Sequence, residues 1–135
     1  MTQLPAEFLC PVVNRVDMAW TCVATDDPNP LHLDHHFAVE KAGYQDVVVP
    51  GTMLVGWVGE YLEDWAGGIR NLLGWRIRFV APVWPGEQIK LSPAGMTEQV
   101  GDDGALSVRC ELTATTTGGK MVARVNAEFR PPAPG

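Results

Sequence analysis

Positive charge is scarce in this chain: ten Lys and Arg stand against 16 Asp and Glu, and the net charge at pH 7 is −6. A surface that binds nucleic acid needs clustered Lys and Arg to neutralise phosphates. No stripe of basic and aromatic residues offsets the acidic balance. The composition therefore predicts that the chain has no nucleic-acid partner.

Long apolar runs and paired cysteines are also missing. No stretch approaches the roughly 18 uninterrupted apolar residues that a membrane-spanning helix requires. The opening residues MTQLPAEFLC contain no basic segment followed by an apolar one, so we expect no secretory signal. Cys10, Cys22 and Cys110 are widely spaced and form no CxxC pair. Together these features favour buried, unpaired thiols and a cytoplasmic location.

The remaining composition is that of one globular domain, with 46% hydrophobic and 19% charged residues in 135 positions. The first half of the chain is predicted to be helical. Two short helices are expected over residues 17–24 and 34–43, each opened by a capping Asp. From Gly51, apolar residues recur at spacings of three and four until the glycine pair at 67 and 68, which predicts a long amphipathic helix.

The second half of the chain alternates between apolar and polar residues, which is typical of strands. The predicted strands lie in LLGWRIRFV, QIKLSPAGM, ALSVRCELTAT and MVARVNAEF, with GDDG as a hairpin turn between the second and third. A sheet with one apolar face needs a covering layer, and the long helix can supply it. The predicted fold class is α+β: one domain over residues 1–130, with a curved antiparallel sheet wrapped around a long central helix. A flexible Pro-rich tail is expected over residues 131–135.

The segment TDDPNPLHLDHH, residues 25–36, concentrates acidic and imidazole groups that are costly to bury unpaired. Asp27 and His32 are separated by two prolines, which fix the backbone, and we expect these prolines to prevent a helix here. A stiff loop of this kind can aim a carboxylate and an imidazole at one water molecule and move a proton near neutral pH. Asn29 is suited to satisfy backbone groups in such a turn.

Gly51 is a candidate of a different kind, because its backbone matters rather than a side chain. It follows Pro50 and begins the predicted long helix. The N–H groups of the first helical turn have no partner within the helix. Such a donor can stabilise an oxygen on which negative charge develops.

TDDPNPLHLDHHFA resembles the signature of the MaoC-like, R-specific enoyl-CoA hydratases of the hot-dog fold, in which an Asp-x-Asn-Pro-Leu/Ile-His segment supplies the catalytic pair. Asp27 and His32 fall on those positions. VVVPGTML is similar to the family's turn into its central helix, and RIRFVAPVWPGE is similar to its strand-and-turn motif. The motifs come in the family's order. Many members have Gly where this chain has Asp26, and His where it has Pro50, but neither difference removes a catalytic group.

The resemblance implies a hot-dog domain that adds water to a trans-2-enoyl thioester, or removes it from an R-3-hydroxyacyl thioester, without a cofactor. Asp27 and His32 would hold and deprotonate the water, and the Gly51 N–H would bind the thioester oxygen. The implied substrate is an acyl-CoA, or an acyl group on an acyl carrier protein. A homodimer is expected from the family and from the need to cover long strand edges.

Other interpretations of the same residues stay open. From spacing alone, an Asx-type turn with a hydrogen-bonded histidine also explains Asp27 and His32. A zinc site in the HLDHH segment would need three or four converging ligands, and no cysteine pair or HExxH motif completes one, so we expect no metal. Asp34 is assigned to helix capping, and His35 and His36 to a solvated helix start.

Two rival functions also remain. Hot-dog thioesterases resemble this layout, and some use a carboxylate of the central helix, for which Glu60 and Asp64 are candidates. The chain could also be a non-catalytic subunit of a heteromeric hydratase, although such a subunit would need neither Asp27 nor His32. The basic residues that could contact CoA phosphates, or simply belong to solvated strand faces, are Arg70, Arg76, Arg78, Lys90 and Lys120.

Overall fold

The structure is a computed structural model and describes residues 3–131. Its elements in chain order are β1 (Phe8–Leu9), α1 (Arg15–Ala24), α2 (Pro30–Leu33), a π-helical turn (Phe37–Lys41), α3 (Gly51–Ala66), a 3₁₀ turn (Ile69–Asn71), β2 (Leu72–Phe79), β3 (Ile89–Val100), β4 (Leu106–Thr116) and β5 (Met121–Phe129). The part of the predicted Pro-rich tail that follows residue 131 lies outside the described residues. None of the helices within the described range combines the length and apolar character needed to cross a bilayer.

The strands form one antiparallel sheet in the order β1-β3-β4-β5-β2. Strand β4 shows why the sheet has a core face: Val108, Cys110, Leu112 and Ala114 are buried, and the residues between them are more exposed. This is the period-two alternation that was predicted from the sequence. The eight-residue strand β2 stands at one edge, and within the described residues it pairs only with β5.

Helix α3 lies against the inner face of this sheet. Its buried residues are Leu54, Val58, Tyr61, Leu62, Trp65 and Ala66. The Trp65 ring meets the ring of Phe129 from β5 at a centroid distance of 6.0 Å. The helix ends where Gly67 adopts a left-handed conformation with φ 75°, which glycine adopts without steric cost. The α+β architecture and the bounds of the long helix are therefore confirmed.

The prediction that Asp17 caps the first helix is wrong. Helix α1 begins earlier, at Arg15, and its N-cap is Asn14, whose side-chain oxygen accepts a hydrogen bond of 2.9 Å from the Asp17 N–H. Asn and Asp are about equally good N-caps. Asp17 instead lies in the first turn, where a carboxylate is favoured by the helix dipole.

The expectation that the prolines prevent a helix before His32 is also wrong. Pro30 occupies the first position of the one-turn helix α2, where a missing N–H costs nothing because that N–H has no helical partner. The capping role predicted for Asp34 is confirmed, since its Oδ1 accepts from the Phe37 N–H at 3.2 Å. The helical segment after it is shorter than predicted and closes as a π turn, with the Ala42 N–H bonded to the Phe37 carbonyl.

Candidate active site

Asp27 and His32 lie side by side. His32 Nε2 is 3.8 Å from Asp27 Oδ2, too far for a good hydrogen bond but close enough for one water oxygen to sit about 2.8 Å from both atoms. The His32 side chain is 12% exposed and that of Asp27 is 49% exposed. The pair is therefore open to solvent on its carboxylate side and walled by protein on its imidazole side.

The position of Asp27 follows from a tight reversal at the end of α1. The Asp27 N–H donates to the Cys22 carbonyl at 2.9 Å, folding the chain back onto the last turn of the helix. Asp26 makes the reversal with φ 51°, and within residues 3–131 it is the only non-glycine residue with a positive φ. Asp tolerates this left-handed conformation better than most residues. The left-handed conformation needed at this position suits the glycine that many members of the hydratase family have here. It also explains why Asp can replace that glycine.

His32 is oriented by two local contacts. Asn29 caps α2, with its Oδ1 accepting from the Leu31 N–H at 2.9 Å. The Nδ1 of His32 contacts the Val48 carbonyl at 2.6 Å. Because a carbonyl can only accept, Nδ1 carries the hydrogen in this contact. In the neutral imidazole, Nε2 is then left as an acceptor on the side that faces Asp27.

Gly51 is the first residue of α3. No acceptor for its N–H is recorded among residues 3–131. Val48, which holds His32, is three residues earlier, so the two Cα atoms are at most about 11 Å apart. A Cβ at Gly51 would lie 3.1 Å from Cζ of Phe79, so that ring leaves little room for a side chain here. The first turn of α3 thus presents a backbone N–H without an acceptor among the described residues, three positions after the residue whose carbonyl holds His32.

A groove of about 540 Å³ runs between α1 and α3. At one end it is bordered by Ala24 and Thr52, the residues next to the Asp27 reversal and to Gly51. At the other end lie Pro11 and Glu60. Burial raises the pKa of the neighbouring Cys10 to about 12, and the charge of Glu60 contributes. The groove therefore follows α3 from Thr52 to Glu60, and Asp27, His32 and Gly51 do not themselves line it. Its lining residues are Pro11, Asp17, Thr21, Ala24, Thr52, Met53, Gly56, Trp57 and Glu60.

A carboxylate missed by sequence reasoning lies beside the histidine-rich segment. Asp46 Oδ1 is 2.9 Å from His35 Nδ1, although 11 positions separate the two residues. The Asp46 carboxylate also receives the Arg15 guanidinium at 2.8 Å. His35 is thus exposed, as predicted, and also hydrogen-bonded to a carboxylate. No group of three or more His, Cys, Asp or Glu side chains within the described range could hold a metal ion.

The basic residues considered for phosphate contacts are dispersed. Lys90 lies 3.4 Å from Glu7, and Lys120 lies 2.9 Å from Glu87. Arg78 stands directly opposite Arg124 on the neighbouring strand.

A second hollow, of about 960 Å³, lies around Asn126 and Glu111 on the sheet, where none of the proposed catalytic residues lines it.

Five antiparallel strands around one long helix, with an acid–imidazole pair beside the start of that helix, define a hot-dog domain. The chain belongs to the MaoC-like domain family, whose model matches residues 11–122. It is 34% identical over 101 residues to 3-hydroxyacyl-thioester dehydratase Y of Mycobacterium tuberculosis. That match covers 67% of this chain and 35% of the relative, so the chain spans about a third of the length of this curated relative.

Solved structures share the fold at low sequence identity. The (R)-hydratase of A. caviae involved in PHA biosynthesis is 21% identical with a TM-score of 0.78, covering 96% of this chain and 97% of that one. The ChsH1–ChsH2 complex of Mycobacterium tuberculosis contains a chain that is 23% identical with a TM-score of 0.73, covering 98% of this chain and 100% of that one. These likenesses establish the hot-dog fold.

Proposed function

We propose that the chain is a hydratase or dehydratase that interconverts a trans-2-enoyl thioester, specifically an enoyl-CoA, and an R-3-hydroxyacyl thioester. One observation supports this above the rest: His32 presents an acceptor nitrogen 3.8 Å from the Asp27 carboxylate. The free N–H of Gly51 lies on the segment that also orients His32. Membership of the MaoC-like domain family agrees with this chemistry.

In the proposed hydration, a water molecule donates one hydrogen bond to Asp27 Oδ2 and the other to His32 Nε2. Nε2 removes a proton as the water oxygen bonds to C3 of the enoyl group, and the C2–C3 π electrons move towards the thioester. The Gly51 N–H stabilises the resulting enolate oxygen. The proton held by His32 then goes to C2, which completes the addition. Dehydration is the same path in reverse.

The acid–base pair and the Gly51 N–H are expected to contribute comparably to the rate of the proposed reaction. A placed acid–base group contributes about 10²–10⁴-fold in rate. A backbone donor to a developing oxyanion contributes on the order of 3 kcal/mol. Since about 1.4 kcal/mol corresponds to a tenfold change in rate, each contribution alone leaves a slow enzyme.

The test is to incubate the purified chain with crotonyl-CoA and to follow the enoyl-thioester absorbance and free thiol in parallel. A hydratase bleaches the absorbance and releases no thiol, whereas a thioesterase releases thiol. The thioesterase alternative has weaker support, because Glu60 and Asp64 lie about 14 and 20 Å along α3 from Gly51. Thiol release without loss of the double bond would reject the proposal.

We also propose that the chain acts as a homodimer. The β2 edge, which is long and has no partner strand among the described residues, gives a second copy a place to pair. The rival is a supporting subunit in a heteromer, as the ChsH1–ChsH2 complex shows that hot-dog chains can join unlike partners. Both Asp27 and His32 are present, which favours a chain that is active by itself. Purified chain that is inactive until a partner is added would favour the rival.

The groove between α1 and α3 offers a path for the acyl chain. It includes Thr52, the residue after Gly51, and extends along α3 to Glu60, about 12 Å of helix. Met53 and Trp57 give it an apolar wall. Gly56 lies midway, and a Cβ built there would have no heavy atom of a neighbouring element within 4 Å. A longer acyl chain would therefore pass over Gly56, whereas a crotonyl group would not reach it.

Gly56→Leu is expected to lower kcat/KM for trans-2-decenoyl-CoA by on the order of tenfold or more, with crotonyl-CoA turnover nearly unchanged. A Cβ at this position has open space around it, so the new side chain starts without a clash, and leucine is a better helix former than glycine. Kinetics on the two substrates provide the measurement, and the short substrate is the internal control. An equal loss on both substrates, or on neither, would show that the acyl chain lies elsewhere.

A further inference from the structure

Asp46 gathers donors from three separate parts of the chain. Its carboxylate accepts from the Arg15 guanidinium at 2.8 Å, from His35 Nδ1 at 2.9 Å and from the Val47 N–H at 2.7 Å. Arg15 opens α1, His35 follows α2, and Val47 begins the segment that leads into α3. The Asp46 side chain is only 24% exposed. A single carboxylate therefore ties together the three segments that surround the proposed site.

The segment held by Asp46 is the one that orients His32. Two residues after Asp46, the Val48 carbonyl accepts from His32 Nδ1 at 2.6 Å, and the Val48 N–H donates to the Leu31 carbonyl at 3.0 Å. This contact gives Nδ1 the hydrogen and leaves Nε2 facing Asp27. If Val48 moved or turned, His32 would lose the partner that selects its tautomer and its ring angle.

The same carboxylate also bears on Asp27. Arg15 is at the start of α1, and the last turn of that helix holds Asp27 through the Cys22 carbonyl. The Asp46–Arg15 ion pair thus fixes the helix that carries Asp27 against the segment that orients His32. Proton transfer through one shared water needs the two groups placed to within about 0.5 Å.

The contacts of Asp46 keep its carboxyl group ionised near neutral pH. Partial burial acts to raise its pKa, but hydrogen bonds from His35, Arg15 and the Val47 N–H outweigh burial and lower the pKa to about 2. The carboxylate is therefore ionised near neutral pH and able to accept all three hydrogen bonds.

We infer that Asp46, held by Arg15 and His35, is a positioning residue: it fixes the Val48 carbonyl, and through it the tautomer and orientation of His32 opposite Asp27. This inference rests on the proposed hydratase site for its effect on rate, but its effect on His32 is independent of any reaction. His35, which is exposed at the start of the helical segment after Asp34 as predicted, therefore also has a supporting role through its contact with Asp46.

The experiment compares Asp46→Asn with the wild-type chain in two measurements. Nitrogen-15 NMR of the histidine rings is expected to show His32 protonated at Nδ1 in the wild type and a mixture of Nδ1-H and Nε2-H forms in the variant. Hydration of crotonyl-CoA is expected to show kcat lowered by on the order of tenfold with KM changed less than twofold. Unchanged ring-nitrogen shifts together with unchanged kcat would overturn the inference.

Glu128→Gln is the matched control. Glu128 is also a carboxylate with several donors, Ser107, Gln99 and Arg109, but it lies on the sheet away from the proposed site. It should leave both the His32 signals and kcat unchanged, and an equal effect in both variants would assign the loss to general destabilisation. If Asp46→Asn does not fold, Arg15→Gln and His35→Asn each remove one donor and should shift the His32 signals in the same direction. Wild-type shifts in both would reject the inference, and a wild type without hydratase activity would reject only the proposed function.

Discussion

His32→Ala and Asp27→Asn are each expected to lower kcat for crotonyl-CoA hydration at least about a hundredfold, because each removes one of the two groups proposed to hold and activate the water. Since the two groups are proposed to act on the same water, their effects should not add. The double variant should therefore be only slightly less active than the less active of the two single variants. Steady-state kinetics on the three variants provide the measurement. Near-normal turnover in both single variants would show that the reaction takes place elsewhere.

The histidine variant needs a control for folding. Removing His32 leaves the Val48 carbonyl without its donor, which costs about 1–3 kcal/mol of stability when the group is shielded from water. Unfolding curves of each variant separate this loss from the loss of rate. His36→Ala is the matched variant: His36 is exposed and lies four residues further along, and no hydrogen bond or ion pair of its side chain is recorded among residues 3–131. It should retain full activity.

The parts of the fold that could be predicted are those coded by local periodicity. Helix α3 combines apolar spacings of three and four with a glycine that can turn left-handed at Gly67, and its ends fell where expected. Strand β1 could not be found, because its two residues pair with β3 some 80 positions away and carry no period of their own. The sequence also could not decide whether Asn14 or Asp17 is the N-cap of α1, because both residues have a suitable side chain.

The candidate site divides in the same way. Asp27 and His32 lie in one short motif, so their proximity follows from a segment of limited length, and Gly51 lies in a second short motif. Asp46 is different, because its link to Arg15 spans 31 positions and no local pattern announces it. The ring of Phe79 reaches Gly51 from another element altogether. The groups proposed to act directly were thus visible in the sequence, whereas the groups that hold them in place depend on tertiary packing.

Gly51→Pro is expected to lower kcat/KM about a hundredfold relative to Gly51→Ala, which corresponds to about 3 kcal/mol. Proline removes the N–H and occupies the place of its hydrogen. The first helical position tolerates proline, and Pro50, with φ −58° and ψ 130°, already has the backbone that a following proline requires. The helix should therefore persist, as far-UV circular dichroism can verify.

The alanine variant makes this comparison specific to the backbone donor. Both substitutions add a Cβ at 3.1 Å from Cζ of Phe79, so the alanine variant controls for that contact, and only proline loses the N–H. If alanine alone abolishes activity, the pair can be repeated with Phe79→Leu, which gives the new Cβ more space. Equal activity of the proline and alanine variants would mean that the thioester oxygen is bound by another donor. A large difference between them would mean that the thioester oxygen is bound by the Gly51 N–H at the start of α3, as the proposed mechanism requires.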